Sequence, residues 1–303
     1  MIPAVLTTFL FALSASGAER STRLLGGPVA NLCRLTLATL LLAIWAHTFG
    51  QGFTRAPLPW FFLSGVIGFG LGDMALYRAF PRIGTRLTVL LCLCLAAPLG
   101  ALFEWLWLGT GLTRHQIIWS ATILLGVVVA LAPDGKDTPR SKSWGTGIFM
   151  GVIAAAGQGS GAVLTRKAFD VAEQAGLHVD GGTAAYQRIL GGLLLTALVL
   201  LVHHRTRRPN AKAETGPQGD RPPRPWRRAA PWVLVNSLCG PTLGVACISW
   251  ALAIAPTGIV LAIVATTPLA VIPFALIFEG ERPRLCSLIG GVIAVVGAVC
   301  LAL

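Results

Sequence analysis

Four charged residues inside otherwise apolar stretches are the ones equipped for chemistry: Arg34, Asp73, Glu104 and Arg188. A charge in apolar surroundings is expensive, and is kept where it faces a partner, a cavity or water. Arg34 lies about six residues into its apolar run, about 9 Å deep at 1.5 Å per residue. Asp73 reaches a similar depth from the same side if the two runs are antiparallel, so an ion pair or a shared hydrogen-bond network is expected. Such a pair either braces a helix bundle or takes part in holding a solute. Arg188 sits in Gln187-Arg188-Ile189 much as Arg34 sits in Cys33-Arg34-Leu35. The run matching that of Asp73 offers only Ala246 and Cys247 at the corresponding place, and no acid. The expected result is an unpaired cation, available to an anionic or zwitterionic solute or able to snorkel to an interface. Glu104, flanked by Trp105 and Trp107, is a candidate proton-coupling carboxylate or a group that simply reaches water. Gln158 and Gln187 are polar wall candidates and Tyr77 and Trp250 aromatic ones, with Asn31, Tyr186 and Asn236 behind them.

These side chains need apolar helices to carry them. Of 303 residues, 54% are hydrophobic and 12% charged, and the mean hydropathy is +0.73. Soluble domains carry about 25% charged residues, so the composition is that of a polytopic membrane protein. Apolar runs can be laid out at about 2–18, 28–49, 57–80, 84–108, 115–133, 143–165, 183–204, 230–252, 256–278 and 285–303, each near the length that crosses a bilayer. They lack the period-2 alternation of barrel strands and so read as ten helices. Met1–Ala18 lacks a basic leading segment and is expected to be the first span, retained.

The net charge of +12 does not indicate nucleic acid, because the arginines fall mainly in short connections, as orientation signals. The seven cysteines all lie in apolar runs, which suits inert thiols rather than a metal or disulfide framework. There is no His-Glu-x-x-His motif, and the histidines fall at or near the ends of runs. No catalytic residue, metal site or cofactor is therefore expected. Gly157-Gln158-Gly159-Ser160-Gly161 follows no strand and lacks the Gly-Lys-Ser of a phosphate loop. It reads as a helix-packing stretch.

The chain also repeats itself. The spacing from Pro98 to Thr113 equals that from Pro268 to Pro283, and Gly17-Ala18 matches Gly161-Ala162. The expected division is a first repeat at 1–133, a linker at 134–142 and a second repeat at 143–303. An odd number of spans in each half forces the halves into opposite orientations. The architecture expected is all-α, ten transmembrane helices as two inverted five-helix repeats. Pro98 and Pro268 are its candidate hinge points. A basic insert, 205–230, carries five prolines and eight Arg or Lys. It reads as a disordered, solvated loop or a contact for anionic lipid headgroups.

Gly72-Asp73 through Ala79, Ile83-Gly84-Thr85, Pro98 through Gly109, and Thr267-Pro268 through Arg282 with Gly290 and Gly297 together resemble the EamA-like family of the drug/metabolite transporter superfamily. The resemblance covers nearly the whole chain. It implies a ten-helix secondary transporter of small metabolites, for import or export, working by alternating access, and not an enzyme. A lipid or lipid-precursor translocator on the same fold is the alternative. Thr110-Gly111 replaces the acidic corner that Gly280-Glu281 keeps in the second half, and the basic insert is a further departure. The expected setting is the cell (inner) membrane, multi-pass, with a small-molecule substrate and the bilayer as partners. Proton or ion coupling, and assembly as a homodimer, are compatible with the sequence. The excess of Arg and Lys after odd-numbered runs puts both termini outside by the positive-inside rule, whereas the resemblance implies both inside.

Overall fold

The computed structural model describes residues 2–108, 113–131, 143–207, 226–255, 257–279 and 285–302. The linker 134–142, most of the basic insert and the corner after Glu279 lie outside these. In chain order the elements are α1 (Ile2–Leu25), α2 (Gly27–Thr48), α3 (Leu58–Gly65), the π-helical π1 (Val66–Gly72), α4 (Asp73–Leu108), α5 (Arg114–Leu131), α6 (Trp144–Gln174) and α7 (Gly181–Arg207). They continue with α8 (Trp226–Ser237), π-helical π2 (Leu238–Thr242), α9 (Leu243–Ile254), α10 (Thr257–Val264), α11 (Thr267–Glu279) and α12 (Leu285–Ala302). No strand occurs among the described residues.

Helices satisfy their own backbone groups, which is what an apolar chain in lipid requires. Among the described residues, six stretches are long and apolar enough to cross a membrane: Ile2–Leu25, Gly27–Thr48, Leu58–Phe103, Trp144–Gln174, Gly181–Val202 and Trp226–Ile254. Leu58–Phe103 runs for 46 residues. Straight, it would reach about 69 Å, more than twice a hydrocarbon core of about 30 Å. It breaks at Gly84, with φ 77° and ψ 167°, a conformation only glycine adopts without strain. Pro98 lies inside α4, whose one non-helical residue is Gly84, whereas Pro268 is the second residue of α11, just past the turn Ala265–Thr266 that separates it from α10. Of the two proline hinge candidates, only Pro268 therefore stands beside an interruption.

Two rods contain a π turn at corresponding places, α3–π1–α4 up to Gly84 and α8–π2–α9. α1 packs along the second rod and α6 along the first, α2 lies against α7, and α5 against α12. Particular contacts recur with their partners exchanged. A Cβ at Gly17 would meet Asn236, while one at Gly161 would meet Ser64 and Gly68. Ser237 Oγ donates to the carbonyl of Arg34 at 3.2 Å, and Gly65 abuts the carbonyl of Arg188 so closely that no side chain fits. Gly72 and Gly157 face each other across the α6 contact, each within reach of the other's Cα, which is how small residues allow close helix approach.

The two ends of the bundle differ in charge. Arg20, Arg23, Arg78, Arg82, Arg227 and Arg228 gather at one end, which we call the basic face. Arg20 stacks there on Trp232, 4.8 Å from the ring centroid. Arg86 is buried within α4 just past Gly84. At the far face Asp180 caps α7, accepting from the backbone N–H groups of Gly182 and Thr183 at 2.8 and 3.0 Å and from Trp45 Nε1 at 3.0 Å. Arg166 of α6 donates there to the carbonyls of Leu252 and Ala255, at 2.9 and 3.3 Å, closing the end of α9. It also pairs with Asp170 at 3.4 Å.

Candidate functional site

Between the two rods lies a cavity of about 90 Å³. Its wall combines α1, α2, π1, α4, α6, α7, π2 and α9, so it sits where the first and second parts of the chain meet. Arg34, Asp73, Gln158 and Arg188 all line it, with Ser14 and the apolar Phe69 and Phe80. The packing glycines Gly68, Gly72 and Gly240 supply bare backbone there. Their missing side chains make room for the two guanidinium groups: a Cβ at Gly240 would lie 3.4 Å from Arg34 Nη1, and one at Gly68 4.0 Å from Arg188 Nη2.

Arg34 Nη2 is ion-paired and hydrogen-bonded to Asp73 Oδ2. Its guanidinium carbon stands 5.2 Å from the ring centroid of Tyr77, a cation–π contact. Behind that ring, Asn236 Nδ2 donates to the Tyr77 hydroxyl, and Ser14 Oγ donates to Asn236 Oδ1 at 2.8 Å. One chain of polar contacts thus runs from α1 through α8 to α4 and α2. It fixes the Arg34–Asp73 pair from behind.

Arg188 is 5% exposed and does not snorkel to an interface. Its Nε donates to Ser64 Oγ at 3.0 Å and its Nη1 to Ser249 Oγ at 3.3 Å, and Phe69 lies 5.4 Å away. Ser64 is itself tied to Gly161 O and Thr165 Oγ1, at 2.7 and 2.8 Å. No carboxylate pairs with Arg188 among the described residues. Asp73, already paired with Arg34, lines the same cavity. Two guanidinium groups and one carboxylate leave the cavity with an excess positive charge. A buried, preorganised cation held by neutral hydroxyl acceptors can receive a carboxylate or phosphate oxygen.

The position matching Asp73, set by the π turns and by Gly68/Gly72 against Gly240/Gly244, is Val245 rather than Ala246 or Cys247. It lines the cavity and is apolar. Tyr77 stands behind Arg34 rather than in the wall of this cavity, and Gln187 and Trp250 lie elsewhere. Gln187 is fully buried against the segment joining α2 to α3, where its Nε2 donates to Gly52 O and Thr54 Oγ1 at 3.0 and 2.8 Å. Trp250 is 56% exposed and borders a groove with Trp45, on the side of α9 away from the cavity. Both helices are apolar all round, so periodicity did not distinguish the cavity-facing side. The side chain of Glu104 is outside the described residues. Ser64 and Ser249, which hold Arg188, were missed because small hydroxyls in apolar helices carry no signal of their own. Glu19 was also passed over as part of a connection. It is buried in α1 and accepts from Arg23 Nε at 2.5 Å.

Comparison with known proteins agrees with this architecture. The family model described as the EamA-like transporter family matches residues 145–303, just over half of the chain. A crystal structure of a protein 16% identical in sequence superimposes with a TM-score of 0.59, covering 98% of this chain and 95% of its own. At that identity the likeness concerns the fold. No curated protein matches the chain.

Proposed function

The chain belongs to the EamA-like transporter family, and from that premise we propose that it is a secondary carrier of small anionic or zwitterionic metabolites. It is a multi-pass membrane protein, and its family transports small molecules. The observation that carries the finer reading is the cavity itself, buried between the rods and holding Arg188 with no carboxylate partner among the described residues.

In this proposal residues 1–133 and 143–303 are inverted five-helix halves, and the exchanged contacts around Gly17/Gly161 and Arg34/Arg188 support it. Alternating access is then a rocking of one half on the other about the cavity. Arg188 receives the anionic group of the solute. Arg34 and Asp73 form the opposite wall, where Asp73 can accept a hydrogen bond from an ammonium or hydroxyl group. Gln158 completes the polar lining. The basic face is cytoplasmic in a cell (inner) membrane, in keeping with the positive-inside rule, and both termini then lie outside.

Flux into proteoliposomes, measured over a panel of carboxylates, amino acids, phosphate esters and neutral sugars with and without a pH gradient, tests the proposal. Anionic or zwitterionic members should be carried, and Arg188→Gln should abolish their flux while the protein remains folded. Carriage of neutral sugars alone, or flux indifferent to Arg188→Gln, overturns the assigned substrate class. Absence of any flux counts against the carrier function.

A further inference from the structure

A second cavity, of about 80 Å³, lies nearer the basic face between α2, α4 and α7. Asn31, Tyr77, Arg78 and Thr196 line it, together with Gly27 at the start of α2. Asn31 and Thr196 are both 0% exposed. Yet Asn31 Nδ2, Asn31 Oδ1 and Thr196 Oγ1 are buried with no hydrogen-bond partner. Buried polar groups are nearly always bonded, and those left unmatched carry the whole cost of losing water. Three unmatched atoms from two helices, converging on one space, are accounted for when that space holds polar molecules. A water needs roughly 10–15 Å³ of such space and two to four polar partners, so the cavity has room for several.

Tyr77 connects this cavity to the first. It is 1% exposed and lines the second cavity, while its ring covers Arg34, which lines the central one. Its hydroxyl is held by Asn236. One aromatic side chain therefore separates this polar space from the site of Arg34 and Asp73. Arg78, the next residue of α4 and exposed, places a cation at the outer side.

We propose that this cavity is a hydrated polar subsite on the basic-face side of the charged site, with Tyr77 as the partition between them. Asn31 and Thr196 together present donors and acceptors, so the subsite takes water or the uncharged hydrogen-bonding part of a solute, such as an amide or hydroxyl. Its place on a path rests on the carrier function proposed above. Its hydration does not.

The test is thiol labelling of Thr196→Cys in sealed vesicles of known orientation, with the small cationic reagent 2-aminoethyl methanethiosulfonate. Peptide mass spectrometry follows each cysteine separately. From the basic face, Cys at 196 should react about tenfold or more faster than buried Cys94, as exposure governs thiol reactivity. Cys92, which lines the central cavity, should gain reactivity from that face in Tyr77→Ala. Lack of reaction at position 196 from either face overturns the hydrated subsite, and unchanged Cys92 labelling in Tyr77→Ala overturns the partition. Thr196→Val supplies a second measurement. In a hydrated cavity it leaves the melting temperature unchanged or lower, whereas a rise would show that the hydroxyl stood in a dry space. Flux failure with successful labelling would remove the carrier function and leave the hydrated cavity intact.

Discussion

Arg34 and Arg188 occupy the same step of two similar helices, yet they keep different company. Arg34 is neutralised by Asp73 and covered by Tyr77. Arg188 is held by two serine hydroxyls and has Val245 where the matching acid would stand. Their backbones are cradled alike, Ser237 against one carbonyl and Gly65 against the other. The fold thus repeats the scaffold without repeating the charge balance. One arginine is committed to an acid of the protein, and the other is held by neutral hydroxyls.

The largest effect expected from this contrast comes from breaking the committed pair. Asp73→Asn leaves Arg34 buried without its counter-charge and should cost about 3–5 kcal/mol of stability, read by unfolding in detergent. Adding Arg34→Met should restore much of that loss. If Asp73→Asn alone leaves stability unchanged, the two arginines do not differ as described. Arg188→Met should cost less, about 1–2 kcal/mol, since only neutral hydroxyl contacts are lost, yet it should remove anion-dependent flux.

Val245→Asp makes the two sites alike. Supplying Arg188 with a partner should weaken anion affinity about tenfold, equivalent to about 1.4 kcal/mol, as measured by anion-induced thermal shifts. An unchanged shift would mean that Arg188 is not the receptor. A similar cost applies to the cradle. Gly65→Ala forces a methyl against the Arg188 carbonyl and should cost about 1–3 kcal/mol, whereas Ser237→Ala loses one hydroxyl and should cost about 1 kcal/mol.

The smallest effect lies at the far face, where Asp180 links α2 to α7. Partial burial raises its pKa, but hydrogen bonds from Thr183, Trp45 and Gly182 outweigh that and hold it below the ordinary value of 3.8. A depressed carboxyl stabilises the fold above its unfolded value and loses that contribution as pH falls through its folded value. Stability measured below pH 3.8 should therefore fall more steeply in the wild type than in Asp180→Asn. Parallel curves would rule out that link.

The sequence made the helical rods legible because composition and length leave apolar segments little alternative in lipid. It also revealed the matched arginines, since a cation in an apolar run stands out, and the Gly17/Gly161 pair. The π turns were not legible: a single extra residue in a helical turn changes neither hydropathy nor punctuation. Nor was the orientation of Gln187 or Trp250, because lipid and protein interior are similarly apolar and a helix between them shows no polar face. Asn31 was visible as a polar residue, but its unmatched amide became apparent only when α7 brought Thr196 to the same cavity.

Arg166 has a mechanical consequence. By gripping the last carbonyls of α9 from α6, it rivets one helix to the end of another at the far face. Both belong to the second half of the chain, and α9 runs back from that rivet to π2, beneath the central cavity. A push on the far end of α6 is then delivered to π2 as by a lever, with little lost to fraying of the α9 terminus.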